Sequence, residues 1–364
     1  MYNRAIQAVL FILAVTIMVV PFPCQNASSA GNEKDTTTYN LYFGDLHTHT
    51  SYSDGTGTPW EAYEAAIDAG ADFMAVTDHV PVWNAYYAWT ATEEEWADTL
   101  SAADHYTSNS FVAMAGYEAW LLAGIGEINV FNSRDLPPGP LLNRLERLPV
   151  FYDWLVQQGA VGQFNHPVYY SDNFLNYSYY NEFRDQGMGV LENLRNADYE
   201  SSYIMALDTG WHIMPAANSD THNANWISGS EVRTVLLAPS LTPENLYDAM
   251  KANRGYATQD KNLQVHYTLN GAIMGSVLSP TGTYEVSVQL SDPDGAEDAI
   301  KLVEIVSDGG EVVASLNVNS TTVEYTTTLT SDSAHYFYVR VTTASDRSGE
   351  EGVTAWTAPV WTGN

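Results

Sequence analysis

Short apolar runs alternate with helix-forming segments from about residue 39 to residue 262. Strand-like runs lie at 72–77, 111–117, 127–131, 161–165, 190–194, 213–217 and 232–238. Thr58 and Thr92 each begin a capping box, with a glutamate three residues later, and Thr242-Pro243-Glu244 carries a similar start signal. Repeated alternation of strands and helices favours a parallel sheet, closed or open.

The pattern changes after Asn262. Five β-rich stretches, separated by Asp, Gly, Ser and Pro turns, show no helical period: 284–290, 301–307, 312–318, 322–329 and 335–342. A segment of about 100 residues with this pattern is typical of an immunoglobulin-like β-sandwich. We therefore predict an α/β domain over 39–262 and a β-sandwich over 263–364. His266 and His335 are expected to be structural, and no metal ligand is expected in this tail.

The N-terminal segment has the features of an export signal. Arg4 precedes an apolar run from Ala8 to Val20. This run is shorter than the ~20 residues that span a bilayer and fits the apolar core of a signal peptide. We expect export to the periplasm or the cell exterior with loss of residues 1–30, and no stable membrane span in the mature chain. An uncleaved anchor and lipid attachment at Cys24 are the alternatives.

Composition and charge exclude a disulfide scaffold and disfavour polyanionic partners. The single cysteine allows no intramolecular disulfide, so the core alone must stabilise the fold. The chain has 14 Lys and Arg against 44 Asp and Glu, a formal net charge of -30, and no run of basic residues. A field of this sign repels nucleic acid and anionic membranes. Nucleic acid is therefore not an expected partner, and the oligomeric state stays open.

Histidines and carboxylates follow the predicted strands. His47 and His49, in the stretch DLHTHTSYSDG, stand two positions apart after the short apolar run Leu41-Tyr42-Phe43. In an extended strand, residues i and i+2 point to the same side about 6.5 Å apart, so the two imidazoles can converge on one ion. Asp220 and His222 repeat this spacing after a later strand.

Three more candidates follow other strands: His79 in VTDH, Glu118 in AGYE and His166 in NHP. In a parallel barrel the C-terminal strand ends share one face, where active sites form. Imidazole and carboxylate ligands without a thiolate suit zinc, manganese or iron. Adjacent residues of a strand point to opposite sides, so Asp78 and His79 cannot both face the ion. We choose His79 as the ligand and expect Asp78 to support the ligands without binding the ion itself.

The ordered set HTHTSYSDG, TDH, GYE, NHP and SDTH resembles the polymerase and histidinol phosphatase (PHP) superfamily. The segments GWHIMPAANSDTH and LTPENLYDAMKANRGYAT, with a β-rich tail ending TAWTAPVW, look like the branch of carbaryl-hydrolase-type proteins. The likeness runs from about Tyr42 to Trp361. It implies a distorted seven-stranded (β/α) barrel over 39–262, with two or three divalent metals in its mouth and a β-sandwich after it.

The resemblance also implies a distribution of ligands, carried over position by position. A first ion would be held by His47, His49, Glu118 and Asp220. Glu118 would bridge to a second ion, which would also use His166.

A third ion would be held by Asp54, His79 and His222. The chain departs from the family pattern at one position, since relatives often show G-H-x-N-V where this sequence reads GEINV. Glu127 thus offers an oxygen in place of an imidazole nitrogen. The second site would then bind a harder metal, bind more weakly or stay empty.

The leading functional hypothesis is a secreted metal-dependent phosphoesterase acting on small-molecule mono- or diesters. A hydroxide bridging two metals is a strong nucleophile near neutral pH, and the ions neutralise charge on the phosphoryl oxygens. Few cations exist in this acidic chain, so Arg195, Arg233 and Arg254 are candidate anion-binding residues. His212 is a candidate proton donor to the leaving group.

Two alternatives stay open. The same hydroxide could hydrolyse a carbamate, a carboxylic ester or an amide, with the aromatic run at 82–89 and Tyr169-Tyr170 lining the pocket. A secreted, non-catalytic binding protein with a structural metal site is the other. Structural sites are usually closed and four-coordinate, whereas this ligand set is larger than one ion needs.

Overall fold

The computed structural model describes residues 37–80, 90–120, 125–137, 144–168, 173–193, 197–344 and 353–363. Arg195, the aromatic run at 82–89, Tyr169-Tyr170 and the N-terminal segment with Cys24 lie outside the described residues. None of the helices within these ranges combines the length and apolar character that a bilayer crossing requires.

Helices and strands are interspersed up to residue 258, and strands with short turns follow. The helices are α1 (Pro59–Asp68), α2 (Glu93–Tyr106), α3 (Arg144–Gln158), α4 (Asn173–Asn176), α5 (Glu182–Asp185), α6 (Ala197–Thr209) and α7 (Pro243–Lys251). The single turn α4 contains left-handed residues, with φ of 54° at Phe174 and 58° at Leu175. Two 3-10 turns span Ala296–Asp298 and Asp308–Gly310.

The strands fall into two groups along the chain. The first group is β1 (Asn40–Asp45), β2 (Phe73–Val76), β3 (His79–Val80), β4 (Val112–Trp120), β5 (Glu127–Phe131), β6 (Val161–Asn165), β7 (Met188–Glu192), β8 (Met214–Ala216), β9 (Arg233–Ala238) and β10 (Gly255–Thr258). The second group is β11 (Gln264–Leu269), β12 (Ala272–Ile273), β13 (Thr283–Ser291), β14 (Ile300–Ser307), β15 (Glu311–Ser320), β16 (Thr322–Thr330), β17 (Tyr336–Thr343), β18 (Val353–Thr357) and β19 (Val360–Trp361). Each of the five predicted β-rich stretches contains a strand.

Capping residues account for the helix starts. The Thr58 hydroxyl accepts from the Glu61 N–H, and the Glu61 carboxylate accepts from the Thr58 N–H. Thr92 and Glu95 form the same reciprocal pair at the start of α2. Thr242 caps α7 with its side-chain oxygen. These contacts satisfy N–H groups that a helix start otherwise leaves without partners, and the three predicted helix starts are confirmed.

The first group of strands forms a mixed sheet. β1 pairs in parallel with β2, β2 with β4, β6 with β7, and β7 with β8, as the alternation predicted. β5 instead runs antiparallel to both β4 and β6, so the expectation of a wholly parallel sheet is corrected. The reason is the connection at 121–126, which is shorter than the dozen or so residues that a parallel crossover needs.

The chain beyond β8 lies beside the chain beyond β1. The His49 N–H donates to the Thr221 carbonyl at 2.9 Å, and the Asp220 N–H donates to the His47 carbonyl at 2.9 Å. Thr48 and Thr221 form a parallel bridge between the same segments. These contacts bring two histidine-bearing segments together although about 170 residues separate them along the chain.

The β-rich tail continues the same sheet. β10 pairs antiparallel with β18, which places Tyr256 opposite Thr357, and β17, β14 and β15 extend the sheet from β18. A second sheet has the order β12-β11-β13-β16. Burial alternates along β13, so one face of this sheet packs on the core. The β10–β18 pairing joins residues that lie on either side of position 262 in the sequence. The predicted domain boundary at 262/263 therefore stays a prediction.

Candidate metal centre

The predicted ligands come from different strands and gather in one place. His47 and His49 follow β1, His79 begins β3, Glu118 lies in β4, Glu127 begins β5, His166 follows β6, and Asp220 and His222 follow β8. The rings of His47 and His49 are fully buried, and Glu118 is 1% exposed. Buried polar groups of this kind need partners, either protein atoms or an ion.

The tightest group consists of His47 Nε2, His49 Nε2, Glu118 Oε2 and Asp220 Oδ1. His47 Nε2 lies 3.1 Å from His49 Nε2, 3.1 Å from Glu118 Oε2 and 3.3 Å from Asp220 Oδ1. His49 Nε2 lies 3.2 Å from Glu118 Oε2 and 3.1 Å from Asp220 Oδ1. A tetrahedral ion with ligand bonds of about 2.0 Å separates its ligands by about 3.3 Å. The five separations given therefore match those of a tetrahedral coordination shell.

The other oxygen of Glu118 belongs to a second group. His166 Nε2 lies 3.1 Å from Glu118 Oε1 and 3.3 Å from Glu127 Oε2. The Asn165 amide donates to Glu118 Oε1 at 2.7 Å and fixes the orientation of the carboxylate. One carboxylate therefore faces His47 and His49 with one oxygen and His166 with the other.

A third group lies nearer the solvent. Asp54 Oδ1 is 3.3 Å from His222 Nε2, 3.7 Å from His79 Nε2 and 3.9 Å from His49 Nδ1. The side chains of Asp54 and His222 are 41% and 37% exposed. The third group is thus looser than the first and marks the open side of the cluster.

Glu192 supports the first group and was missed in the sequence analysis. It is 1% exposed, its Oε1 lies 2.9 Å from His47 Nδ1, and its Oε2 accepts from the His166 N–H at 2.6 Å. In the tautomer where His47 Nδ1 donates to Glu192, the Nε2 lone pair is left for an ion. The available signal was a carboxylate within the predicted strand at 190–194.

Two aspartates tie the ligand-bearing loops together. Asp45 accepts from the His47 N–H at 2.9 Å and from the Ser219 N–H at 3.1 Å, so it joins the segments after β1 and β8. Burial raises the pKa of Asp45 to about 6. Asp78, which we expected to act from behind the site, accepts from the Thr50 N–H at 2.7 Å. Both carboxylates hold backbone that carries ligands.

Two of the predicted ligands sit on strained backbone. The φ angle is 26° at His166 and 49° at Asp220. Such angles cost a residue with a Cβ of order 1–3 kcal/mol and persist where the surroundings enforce them. Positive φ angles also occur elsewhere in the described chain, for example at Phe174 and Leu175, but at His166 and Asp220 they orient side chains that face the cluster.

Comparison with known proteins agrees with the motif set. Residues 45–188 match the family model of the PHP domain. This match supports the PHP superfamily and leaves the carbaryl-hydrolase-like branch undecided. No curated protein matches the chain.

Three solved structures resemble this chain at low identity. A two-domain protein from Bacteroides vulgatus, containing a predicted PHP-like metal-dependent phosphoesterase, is 13% identical with a TM-score of 0.48 over 91% of this chain and 100% of that chain. An amidohydrolase from Chromobacterium violaceum with bound sulfate and no metal is 15% identical with a TM-score of 0.35, over 50% and 87% of the two chains. A structure from Bifidobacterium adolescentis assigned as a metal-dependent phosphoesterase is 13% identical with a TM-score of 0.31, over 49% and 87%. Likenesses of this size do not establish a shared activity.

The electrostatics of this cluster of histidines and carboxylates favour positive charge. Burial opposes protonation of His49, but contacts with Asp220 and Glu118 outweigh it and raise its pKa to about 9. Burial is likewise outweighed by Glu118 at His166, whose pKa rises to about 9. Burial would raise the pKa of Asp220, yet His47 and His49 lower it to about 2. The field that attracts protons here would also attract a divalent cation.

The atoms present fit such an ion. Within the described residues, the buried Asp220 Oδ1 has no hydrogen bond of good geometry, although two imidazole nitrogens lie within 3.3 Å of it. Imidazole nitrogen with carboxylate oxygen is the donor set of zinc, manganese and iron sites. These residues can therefore hold divalent metal.

The predicted catalytic residues have other partners. His212 precedes β8. Its Nδ1 lies 2.8 Å from Asp185 Oδ2, and the centre of its ring lies 4.6 Å from that of Trp361. The Arg233 guanidinium donates to three carbonyls of the preceding loop. Among the described residues, neither side chain forms a hydrogen bond or ion pair with a predicted ligand, and the catalytic roles of His212 and Arg233 stay predictions. Arg254 stacks over Tyr39 at 5.1 Å.

Proposed function

We propose that the protein is a metal-dependent hydrolase of small-molecule phosphate mono- or diesters. The observation that carries the proposal is the position of Glu118. Its Oε2 lies 3.1 Å from His47 Nε2, and its Oε1 lies 3.1 Å from His166 Nε2, with the side chain 1% exposed. A buried carboxylate between two histidine groups is suited to bridge the two cations of a hydrolytic centre.

The proposed ligands follow the three groups. For the first ion they are His47, His49, Glu118 and Asp220, for the second Glu118, Glu127 and His166, and for the third Asp54, His79 and His222. The number of ions is two or three, and the donor set fits zinc, manganese or iron. Since Glu127 supplies an oxygen where an imidazole is usual in the family, the second ion is proposed to be the most weakly held.

Different residues of the chain have different roles in the proposed site. When bound, the ions would act as Lewis acids toward the phosphoryl oxygens and make a water more acidic. Glu192 orients His47, and Asn165 orients Glu118, so the donor atoms need little reorganisation. Asp54 and His222, the more exposed ligands, mark the side from which an ester would enter.

Four further features belong to the proposal. Strands β1, β2, β4, β5, β6, β7 and β8 are proposed to form the distorted seven-stranded barrel, closed where Thr48 pairs with Thr221. The tail sheets are proposed to form a β-sandwich, and the chain to belong to the carbaryl-hydrolase-like branch.

Export with loss of residues 1–30 is proposed from the apolar run at 8–20. Mass spectrometry that finds the 8–20 segment in extracytoplasmic protein would exclude cleavage.

Metal analysis combined with a substrate panel tests the activity. The panel contains 4-nitrophenyl phosphate, bis(4-nitrophenyl) phosphate, 4-nitrophenyl acetate, an aryl N-methylcarbamate and an anilide. We expect metal-dependent turnover of a phosphate ester above that of the others. Turnover confined to the carboxylic ester, carbamate or anilide would replace the phosphoester by those substrates. Tightly held metal without any turnover would favour a binding protein.

A further inference from the structure

Separate from the histidine groups, four aspartates converge where the α/β part meets the tail. Asp260 lies between β10 and β11, and Asp292, Asp294 and Asp298 lie between β13 and β14. Each offers a carboxylate oxygen, and these oxygens all lie within 4.8 Å of one another. Like charges at this separation repel, so the arrangement calls for a compensating cation.

One oxygen of this aspartate group has no partner although it is buried. Asp292 is 3% exposed. Its Oδ1 accepts from the Asp294 N–H at 3.0 Å, whereas its Oδ2 has no hydrogen bond to any of the described residues. Leaving a buried carboxylate oxygen unpaired is costly, and native proteins rarely do so. An ion seated among the four carboxylates would satisfy it.

Protein groups compensate only part of this charge. Lys261 Nζ lies 3.3 Å from Asp294 Oδ2 at the exposed edge. Asp260 accepts from the backbone N–H groups of Asn262 and Leu263 at 2.8 and 2.9 Å. Over the described ranges, neither Asp260 nor Asp292 has a basic side chain within ion-pair distance. The two most enclosed carboxylates of the group therefore lack a direct countercharge among the described residues.

We propose that Asp260, Asp292, Asp294 and Asp298 bind a calcium-type divalent cation. Calcium takes six to eight oxygen ligands at 2.3–2.6 Å, so any two oxygens that bind one ion lie within about 5.2 Å of each other, and the four carboxylates meet this limit. Magnesium demands a nearly regular octahedron and usually keeps several waters, so a group of four protein carboxylates suits calcium better. Zinc prefers nitrogen or sulfur ligands, and this group offers neither.

The ion would join two connections that are distant in sequence. It would link the turn after β10 to the turn between β13 and β14, across the predicted boundary at 262/263. An ion that binds only the folded chain stabilises it by mass action. We expected no metal ligand in the tail from the sequence, because that expectation considered histidines alone. The aspartate site would revise it for a hard cation.

Calcium titration of the metal-stripped full chain tests the site. For an affinity of about 0.1–1 mM, as in extracellular calcium modules, Ca²⁺ at about 10 mM should raise the melting temperature by about 2–4 °C. Mg²⁺ should give a smaller shift. Tb³⁺, a luminescent calcium substitute, should bind and be displaced by Ca²⁺.

Asp292→Asn supplies the decisive comparison because it keeps the shape and removes one charge. Without calcium its melting temperature should equal or exceed that of the unmutated chain, since repulsion is relieved, and calcium should no longer raise it. Asp68→Asn, at the exposed end of α1, is the matched control and should respond like the unmutated chain. If Asp292→Asn does not fold, Asp298→Asn gives the same comparison.

Two results would overturn the proposal. One is a calcium shift of equal size in Asp292→Asn, which would place the ion elsewhere, for example at the histidine groups. The other is the absence of both a thermal shift and terbium luminescence in the unmutated chain at about 10 mM Ca²⁺. Neither result bears on the proposed hydrolase activity, because the variant leaves the histidine ligands in place.

Discussion

Replacing Glu192 by glutamine should weaken metal binding without unfolding the protein. Glu192 Oε1 lies 2.9 Å from His47 Nδ1 and accepts from the Asn218 amide at 3.0 Å, while Oε2 accepts from the His166 N–H at 2.6 Å. Glutamine has only one oxygen. Whichever way its amide is oriented, the NH₂ group faces a donor, on the side of His47 or on the side of His166.

The size of the effect follows from these contacts. A buried donor left without an acceptor costs about 1–3 kcal/mol. Loss of a carboxylate that orients a metal-binding histidine typically costs 10–100-fold in metal affinity or activity. We therefore expect about 10–100-fold weaker binding of the first ion, measured by competition with a chromophoric chelator, and a parallel loss of turnover.

A glutamate outside the cluster provides the control. Glu304 accepts from Arg340 Nε at 2.8 Å in the tail, and its side chain is 15% exposed. Glu304→Gln should lower the melting temperature and leave metal affinity unchanged. If Glu192→Gln behaves in the same way, Glu192 only stabilises the fold and its proposed action on His47 is refuted.

Two further predictions concern pH and the first helix. The pKa values of about 9 at His49 and His166 mean that metal must displace protons, so its apparent affinity should rise about tenfold per pH unit for each proton displaced and level off above about pH 9. Affinity that levels off near pH 6.5 in a chelator competition series would contradict the raised pKa values. Thr58→Ala removes one contact of the α1 capping box and should cost about 1 kcal/mol of unfolding free energy. An unchanged denaturation midpoint would show that Glu61 alone suffices there.

Local signals in the sequence predicted much of the site. The i, i+2 spacing of His47 and His49 placed both imidazoles on one side, and their Nε2 atoms lie 3.1 Å apart. The starts of α1 and α2 were also predictable, because each capping-box contact joins residues only three positions apart. Interactions over a few residues depend on spacing alone and can be read from one sequence.

The remaining features depend on contacts that spacing does not encode. Glu192 supports His47 across 145 residues of chain, and no pattern around Glu192 names that partner. The antiparallel direction of β5 was missed because alternation of strands and helices suggested parallel pairing throughout. The pairing of β10 with β18 was missed because the tail was considered as a separate unit. Each of these features is a consequence of long-range packing.

The metal content of folded Glu118→Gln, with turnover measured on the same preparation, tests the central claim most directly. Glu118 places its two oxygens against separate histidine groups, so the variant removes a charge that two cations would share. We predict loss of at least one ion per chain and a fall in turnover of several orders of magnitude, because the water would lose its activation. A folded variant that keeps the metal content and activity of the unmutated chain would contradict a bridging role for Glu118 and the two-metal hydrolysis built on it.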